Sequence, residues 1–455
     1  MDFFSTRDKD YTKVSASKTI ADGLAPDGGL YVPCAFPALH RFIGATYERI
    51  AFDIMRLYLT DFSEDELKEY IHSAYGNCLP VAVNGNYLEL FHGKTAAFKD
   101  VALQLFPYLL AASLRKQHIN QTAVILTATS GDTGSAVLAG LKNIPRMRAI
   151  VFYPFEGVST IQKLQMTTQE GDNLNVFGIK GNFDDAQRVV KAIFADNQFC
   201  AKYADRYVFT SANSINAGRL IPQIAYYFYA YSQSVCDHVI REGDPVNFVV
   251  PTGNFGNILA GYYAKKMGLP VHKLVCATNV NNVLYEFIKT GVYNKKRTFI
   301  TTYSPSMDIL ISSNLERLIY DVGGYETVVR AYRSLESEGE FSLDNPIPAL
   351  DTEFVTDPET VQTISEVYRT QKYILDPHTA VAQCAYDKYK RRTGDGTYAI
   401  ILATASPYKF PETVKKALGN VLDNPPHSLQ LLEEKPVLHG EMIDDMKKTI
   451  EKILQ

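Results

Sequence analysis

Five short apolar runs, each followed by a segment of helix length, constrain this chain more than any other feature. They are residues 123–126, 149–153, 246–250, 274–277 and 398–402, rich in Val, Ile and Leu and nearly free of polar alternation. Strands of that kind are buried on both faces, as happens when crossover helices cover both sides of a parallel sheet. The alternation therefore predicts an α/β architecture with helices on both sheet faces. With 455 residues the chain exceeds one ordinary core, so two or three domains are expected.

Charge and cysteine usage narrow the function classes. A net charge of −4 offers no basic field for nucleic acid or an acidic membrane. The six cysteines contain no Cys-x-x-Cys pair, and the nine histidines form no metal-ligand spacing. They predict buried thiols in a reducing compartment and no metal site. The N-terminus lacks the apolar stretch of a signal peptide, and no apolar run approaches bilayer-spanning length. A cytoplasmic protein is expected.

An N-terminal unit is expected over 1–85, closing near Gly76-Asn77-Cys78-Leu79-Pro80. Its core helix falls in 46–60, where Ile50, Ile54, Leu57 and Tyr58 make one apolar face. Asp27-Gly28-Gly29 reads as a turn into a short strand. A smaller α/β domain is expected over 86–205 and a larger one over 206–455. Residues 336–359, rich in acids and with Pro346, Pro348 and Pro358, read as a surface excursion, and 421–436, with Pro425-Pro426, as a linker. Beyond it Met442, Ile443, Met446, Ile450 and Ile453 recur at helical spacing, so a last helix docks by one face.

Four segments carry chemistry. In Phe91-His92-Gly93-Lys94-Thr95-Ala96-Ala97-Phe98-Lys99-Asp100, Lys99 follows Ala97 and Phe98 and opens a helical pattern. Desolvation there favours the neutral, nucleophilic amine that Schiff-base chemistry requires, although most such lysines simply snorkel into solvent. Thr129-Ser130-Gly131-Asp132-Thr133-Gly134 follows a strand and precedes a helix. A capped turn and an anion site explain that loop equally well. Pro251-Thr252-Gly253-Asn254-Phe255-Gly256-Asn257 repeats the arrangement, and strand, Gly-x-x-Gly and helix in that order favour a phosphate nest. It matches neither the dinucleotide fingerprint nor the Walker loop. Thr404, at the end of the last apolar run, places a hydroxyl at a strand end, where by itself it reads as a cap. Together, an amine, a phosphate nest, an anion loop and a strand-end hydroxyl suit pyridoxal 5'-phosphate. An early lysine with a hydroxyl for the pyridine nitrogen selects fold type II, the tryptophan synthase β-like fold, with two parallel-sheet domains.

The chain resembles the threonine synthase family over nearly its whole length. The resemblance is carried by Gly23-Leu24-Ala25-Pro26-Asp27-Gly28-Gly29-Leu30-Tyr31-Val32-Pro33, the Lys99 segment, the Ser130 loop and Asn213-Ser214-Ile215-Asn216 with Arg219-Leu220. Residues 253–257 and Ser304-Pro305-Ser306-Met307-Asp308-Ile309, with Ser312-Ser313-Asn314 and Glu316-Arg317, continue it. Position by position, the resemblance implies that Lys99 bonds the cofactor aldehyde and is the catalytic residue. Gly253, Asn254, Phe255, Gly256 and Asn257 would cradle the cofactor phosphate, and Thr404 would meet the ring nitrogen. Asp132 would lie at the cofactor, and Ser130 and Thr133 at the substrate's anionic groups. Asn213 and Arg219 would grip the substrate phosphate, where a planar guanidinium binds oxyanions bidentately. The 304–317 block is expected to be architectural.

This chain departs from the family's common pattern in two places. Lys94 stands where proline is frequent, and its reading as a solvated surface lysine is favoured over a contact with the substrate phosphate. Ala405-Ser406-Pro407-Tyr408-Lys409-Phe410 replaces a common Ala-His-Pro-Ala-Lys-Phe, so no histidine acts at position 406. The implied reaction converts O-phospho-L-homoserine and water to L-threonine and phosphate, with closure of the smaller domain excluding water. The substrate is thus a small phosphorylated amino acid, and the chain a monomer or homodimer. Two alternatives stay open: a phospho-lyase releasing a 2-oxo acid and ammonia, and a non-catalytic pyridoxal-phosphate-binding relative. The intact Lys99, Ser130–Thr133 and Arg219 set argues against the second.

Overall fold

Local capping sets the first elements. The computed structural model describes residues 1–344, 347–423 and 425–455. Strand β1 (Phe3–Ser5) pairs antiparallel with β2 (Tyr31–Pro33). The helix Tyr47–Tyr58 starts where the Thr46 side chain accepts the Arg49 amide, and it buries Ile50, Ile54 and Tyr58 as their spacing predicts. The helix Glu64–Tyr75 opens on a reciprocal cap between Ser63 and Glu66.

Thirteen further strands follow: β3 (Ala82–Asn84), β4 (Tyr87–Glu89), β5 (Thr122–Ala128), β6 (Met147–Pro154), β7 (Leu174–Ile179), β8 (Tyr207–Ser211), β9 (Val246–Pro251), β10 (Val271–Thr278), β11 (Val292–Asn294), β12 (Glu340–Ser342), β13 (Leu350–Phe354), β14 (Ala399–Ala403) and β15 (Glu441–Ile443). A larger sheet has the order β13-β10-β9-β14-β4-β3, parallel except for β3 against β4. A smaller sheet, β15-β7-β6-β5-β8, is parallel throughout. Each of the five apolar runs is a strand with neighbours on both sides. Their residues are almost wholly buried, as in Ala123 to Leu126, all at 0% exposure.

The expected domain limits do not follow the sheets. Strands β3 and β4 join the larger sheet, whereas β8 and β15 join the smaller one. The limits of 85/86 and 205/206 track composition, but strand partners are chosen by backbone pairing between distant segments. The smaller unit thus takes its last strand and last helix from the C-terminus. That helix, Met446–Leu454, buries Met446, Ile450 and Leu454.

Two stretches read as surface are partly built into the core. Within 336–359, β12 pairs with β11, and β13 extends the larger sheet alongside β10; Pro346 lies outside the described residues. Within 421–436, Leu429 and Leu432 are buried against Ala96 of the lysine segment, each burial contributing about 1.5–3 kcal/mol. Proline content signals a linker, but two leucines suffice to dock it. Among the described residues, no helix is long and apolar enough to cross a membrane. No group of three or more His, Cys, Asp or Glu among them is placed to hold a metal ion.

Candidate active site

The carboxyl ends of β5, β9 and β14 open toward one cleft, as expected for ligands of parallel sheets. The lysine segment reaches it from β4. The Leu90 amide donates to Ala403 O at 2.9 Å, the Phe98 amide to Thr404 O at 2.8 Å, and the Ser406 amide to Ala96 O at 3.0 Å. Ala96 takes a left-handed backbone at φ 57°. The Thr95 amide and hydroxyl each donate to the buried Asp100 carboxylate at 2.7 Å. These ties fix Lys99, first residue of the helix Lys99–Leu103, relative to Thr404.

The Lys99 side chain is 11% exposed, and its Nζ lies 3.6 Å from Asp132 Oδ2. Burial lowers its pKa to about 8, against the opposing pull of Asp132 and with help from the charges of Lys409 and Arg219. At that pKa about a tenth of the amine is neutral at pH 7, roughly 300-fold more than at the ordinary value.

Asp132, read from the sequence as a cofactor contact, lies beside the Lys99 amine and is not among the residues that line the cleft. Its Oδ1 accepts Lys409 Nζ at 2.7 Å and Gln162 Nε2 at 2.8 Å, and Ser306 Oγ approaches Oδ2 at 3.3 Å. Burial works against its charge, yet Lys409 and Lys99 hold the carboxyl well below the usual range. Its Oδ1 is thus engaged twice, while Oδ2 keeps acceptor capacity on the Lys99 side.

The loop after β9 forms a cradle of donors. Phe255 is left-handed at φ 63°, just before the helix Gly256–Lys266. The amides of residues 253–257 donate to no protein acceptor among the described residues. Asn257 uses Oδ1 to accept the hydroxyls of Tyr226 and Tyr227, at 2.5 and 2.9 Å, while its buried Nδ2 has no partner. Unpaired donors at a helix start fit a phosphate group. A Cβ on Gly253 would come within 2.7 Å of Ser306 O. Gly253→Ala is therefore expected to weaken pyridoxal phosphate binding about tenfold or more, measured by absorbance titration of the cofactor-free protein; unchanged affinity would remove this loop from the cofactor site.

The Ser130 loop is shaped by Thr129, whose hydroxyl accepts the Gly131 and Gly134 amides at 2.9 and 2.8 Å. Gly131 has φ 123°, and a Cβ there would lie 2.5 Å from the Gln162 side chain. Asn213 donates Nδ2 to Ala128 O at 2.8 Å, which leaves one amide hydrogen for a ligand. Arg219 is 2% exposed and, among the described residues, pairs with no carboxylate. One of its guanidinium nitrogens donates to Ala212 O, and its Nε has no partner. Burial alone lowers its pKa to about 10. A buried, unpaired guanidinium on a cleft wall is an anion site.

Lys99, Ser130, Thr133, Asn213, Arg219, residues 253–257 and Thr404 all line this one cleft. Lys94 is exposed. Ser306 and Met307 also line the cleft, so the 304–317 block is not purely architectural. Elsewhere it is: Asp308 accepts from Thr302, Asn279 and Asn281, and buried Arg317 donates to Tyr31 O and Ile215 O. Sequence reasoning also missed His378, whose Nδ1 lies 2.8 Å from Asp376 Oδ1 and whose Nε2 accepts the Ser306 amide at 3.1 Å. Asp376-Pro377-His378-Thr379 carries only the signal of a helix cap. Sequence reasoning assigns Lys409 no role either, although this residue keeps the lysine of the common Ala-His-Pro-Ala-Lys-Phe pattern just past a strand.

Comparison with known proteins accounts for nearly the whole chain. Residues 88–404 match the family described as pyridoxal-phosphate dependent enzyme, 2–75 match threonine synthase N terminus, and 379–453 match threonine synthase, C-terminal. Threonine synthase of Pseudomonas aeruginosa is 41% identical over 433 residues, covering 90% of this chain and 89% of that protein. Threonine synthase of Saccharomyces cerevisiae is 38% identical over 463 residues, covering 91% and 88%. The crystal structure of pyridoxal-phosphate-bound threonine synthase from Brucella melitensis superposes with a TM-score of 0.88 at 34% identity, over 100% of this chain and 98% of that one.

Proposed function

Because the chain belongs to the threonine synthase family of pyridoxal-phosphate enzymes, we propose that its cleft converts O-phospho-L-homoserine and water to L-threonine and phosphate. The observation that carries this reading is Arg219. Among the described residues it is a buried guanidinium without a carboxylate, its Nε unpaired, in the same cleft as a lysine of lowered pKa.

Bound pyridoxal phosphate supplies an electron sink for charge developing at the substrate's Cα and Cβ. The cradle at 253–257 would hold its phosphate, Thr404 its ring nitrogen and Lys99 its aldehyde. Once free, the Lys99 amine is the base that takes a proton at Cα and moves one at Cβ. Arg219, with Asn213, Ser130 and Thr133, holds the substrate phosphate and stabilises the charge it carries off, an effect typically of several kcal/mol. Lys409 and Gln162 keep Asp132 fixed beside the amine. Inward movement of the smaller sheet's loops would keep stray water from the cleft until water adds at Cβ.

The test is a product assay with O-phospho-L-homoserine. Threonine and phosphate in equal amounts support the reading; 2-oxobutyrate with ammonia makes the protein a phospho-lyase, and no turnover makes it a binder. A second expectation concerns pH. Since Lys99 captures the cofactor only as the neutral amine, the capture rate should rise about tenfold per pH unit and level off above about 8. Stopped-flow absorbance measures it, and a rate still climbing at pH 10 would mean an unperturbed lysine. Of the six thiols, Cys276 and Cys384 are buried as expected, but Cys34 and Cys236 are exposed because their segments lie at the surface. Six unpaired thiols suit a reducing compartment, so the reading extends to a cytoplasmic enzyme acting as monomer or homodimer. Cell fractionation and light scattering check those two points.

A further inference from the structure

We propose that Lys409 is a positioning residue that claims the Asp132 carboxylate, so that the Lys99 amine faces an ion pair already neutralised instead of a free carboxylate. The Lys409 side chain is 0% exposed. Its Nζ donates to Thr95 O at 2.8 Å and lies 2.7 Å from Asp132 Oδ1, and its backbone carbonyl accepts Ser159 Oγ at 2.9 Å. Held at both ends, it has nowhere to snorkel. Burying an ammonium is costly unless a carboxylate faces it, and Asp132 is the carboxylate that faces this one. Lys99 Nζ, at 3.6 Å from the other oxygen, is well outside the 2.7–2.9 Å of a charge-assisted hydrogen bond.

The charge count around Lys99 gives Lys409 its effect. Facing the amine are Asp132 from the helix Asp132–Leu141, Lys409 from the turn Pro407–Lys409 and Arg219 from the helix Ala217–Leu220. Asp100, on the lysine's own helix, is tied to Thr95, and the His378 imidazole accepts the Ser306 amide. Two cations thus flank one anion. Without Lys409, the Asp132 charge would be left to Lys99 and would hold it as an ammonium. The lysine that bears the cofactor is kept reactive by a second lysine that never meets the ligand.

This role presupposes Lys99 as the cofactor amine, but its test needs neither cofactor nor turnover. Full-length protein is labelled with trace acetic anhydride across a series from about pH 6 to 11, and Lys99 acetylation is read by peptide mass spectrometry. In Lys409→Met the labelling midpoint should rise by about one pH unit or more, with cofactor capture at pH 7 slowed about tenfold. Adding Asp132→Asn should return the midpoint to within about half a unit of the parent protein. A folded Lys409→Met protein with an unmoved midpoint would overturn the proposal. If Lys409→Met does not fold, Lys409→Gln takes its place, keeping a donor for Thr95 O without the charge. Its labelling midpoint should rise likewise by about one unit, and an unmoved midpoint overturns the proposal. A failed threonine assay with the expected midpoints would instead count against the reaction alone.

Discussion

Lys99→Ala protein is expected to release phosphate from O-phospho-L-homoserine at least about 10³-fold more slowly than the parent chain, because it loses both the cofactor bond and the proton carrier. The loss should fall on kcat, since the cradle at 253–257, Arg219 and Thr404 remain to bind ligands. Folding should survive. Removing a desolvated amine relieves a burial cost, and the Asp132 carboxylate keeps Lys409, Gln162 and Ser306 as partners. Phosphate release under saturating cofactor measures the rate, with circular dichroism as the control for folding. A well-folded variant that turns over at the normal rate would mean that the chemistry lies elsewhere.

Arg219→Met should separate function from stability. With the guanidinium gone, kcat/KM should fall about 10²–10³-fold, the range seen when one preorganised partner of a developing anion is removed. The melting temperature should rise or stay level, because a buried cation with an unpaired Nε costs stability in the empty protein. Arg219→Lys should recover little, since one ammonium cannot reproduce a bidentate fork. Steady-state kinetics and thermal melts of the three proteins decide it. A large fall in melting temperature would mark Arg219 as structural, its bond to Ala212 O mattering more than its charge.

How far each part is legible depends on where its partners lie. The strands read from the sequence, β5, β6, β9, β10 and β14, all have neighbours on both sides, which forces apolar side chains on both faces. Strands β8, β13 and β15 are edges and carry polar residues such as Thr210, Asp351 and Glu441, so no run announces them. The cradle at 253–257 and the Ser130 loop are readable for a local reason: glycines, hydroxyls and a helix start are adjacent in the chain. Asp132 shows the limit. Its place in a glycine-rich loop is local, but its ion pair with Lys409 arises from a contact between distant segments.

By itself the sequence determined the α/β class and the family, because each is written in neighbouring residues or in blocks whose order is preserved. Only the tertiary structure decided that β15 and the last helix close the smaller sheet and that Ser306 and His378 reach the cleft. The same is true of Lys409, buried against Asp132. The physical reason is burial. Whether a lysine is a solvated surface group or half of a desolvated ion pair depends on what surrounds it, and that is settled by which distant segments fold against it.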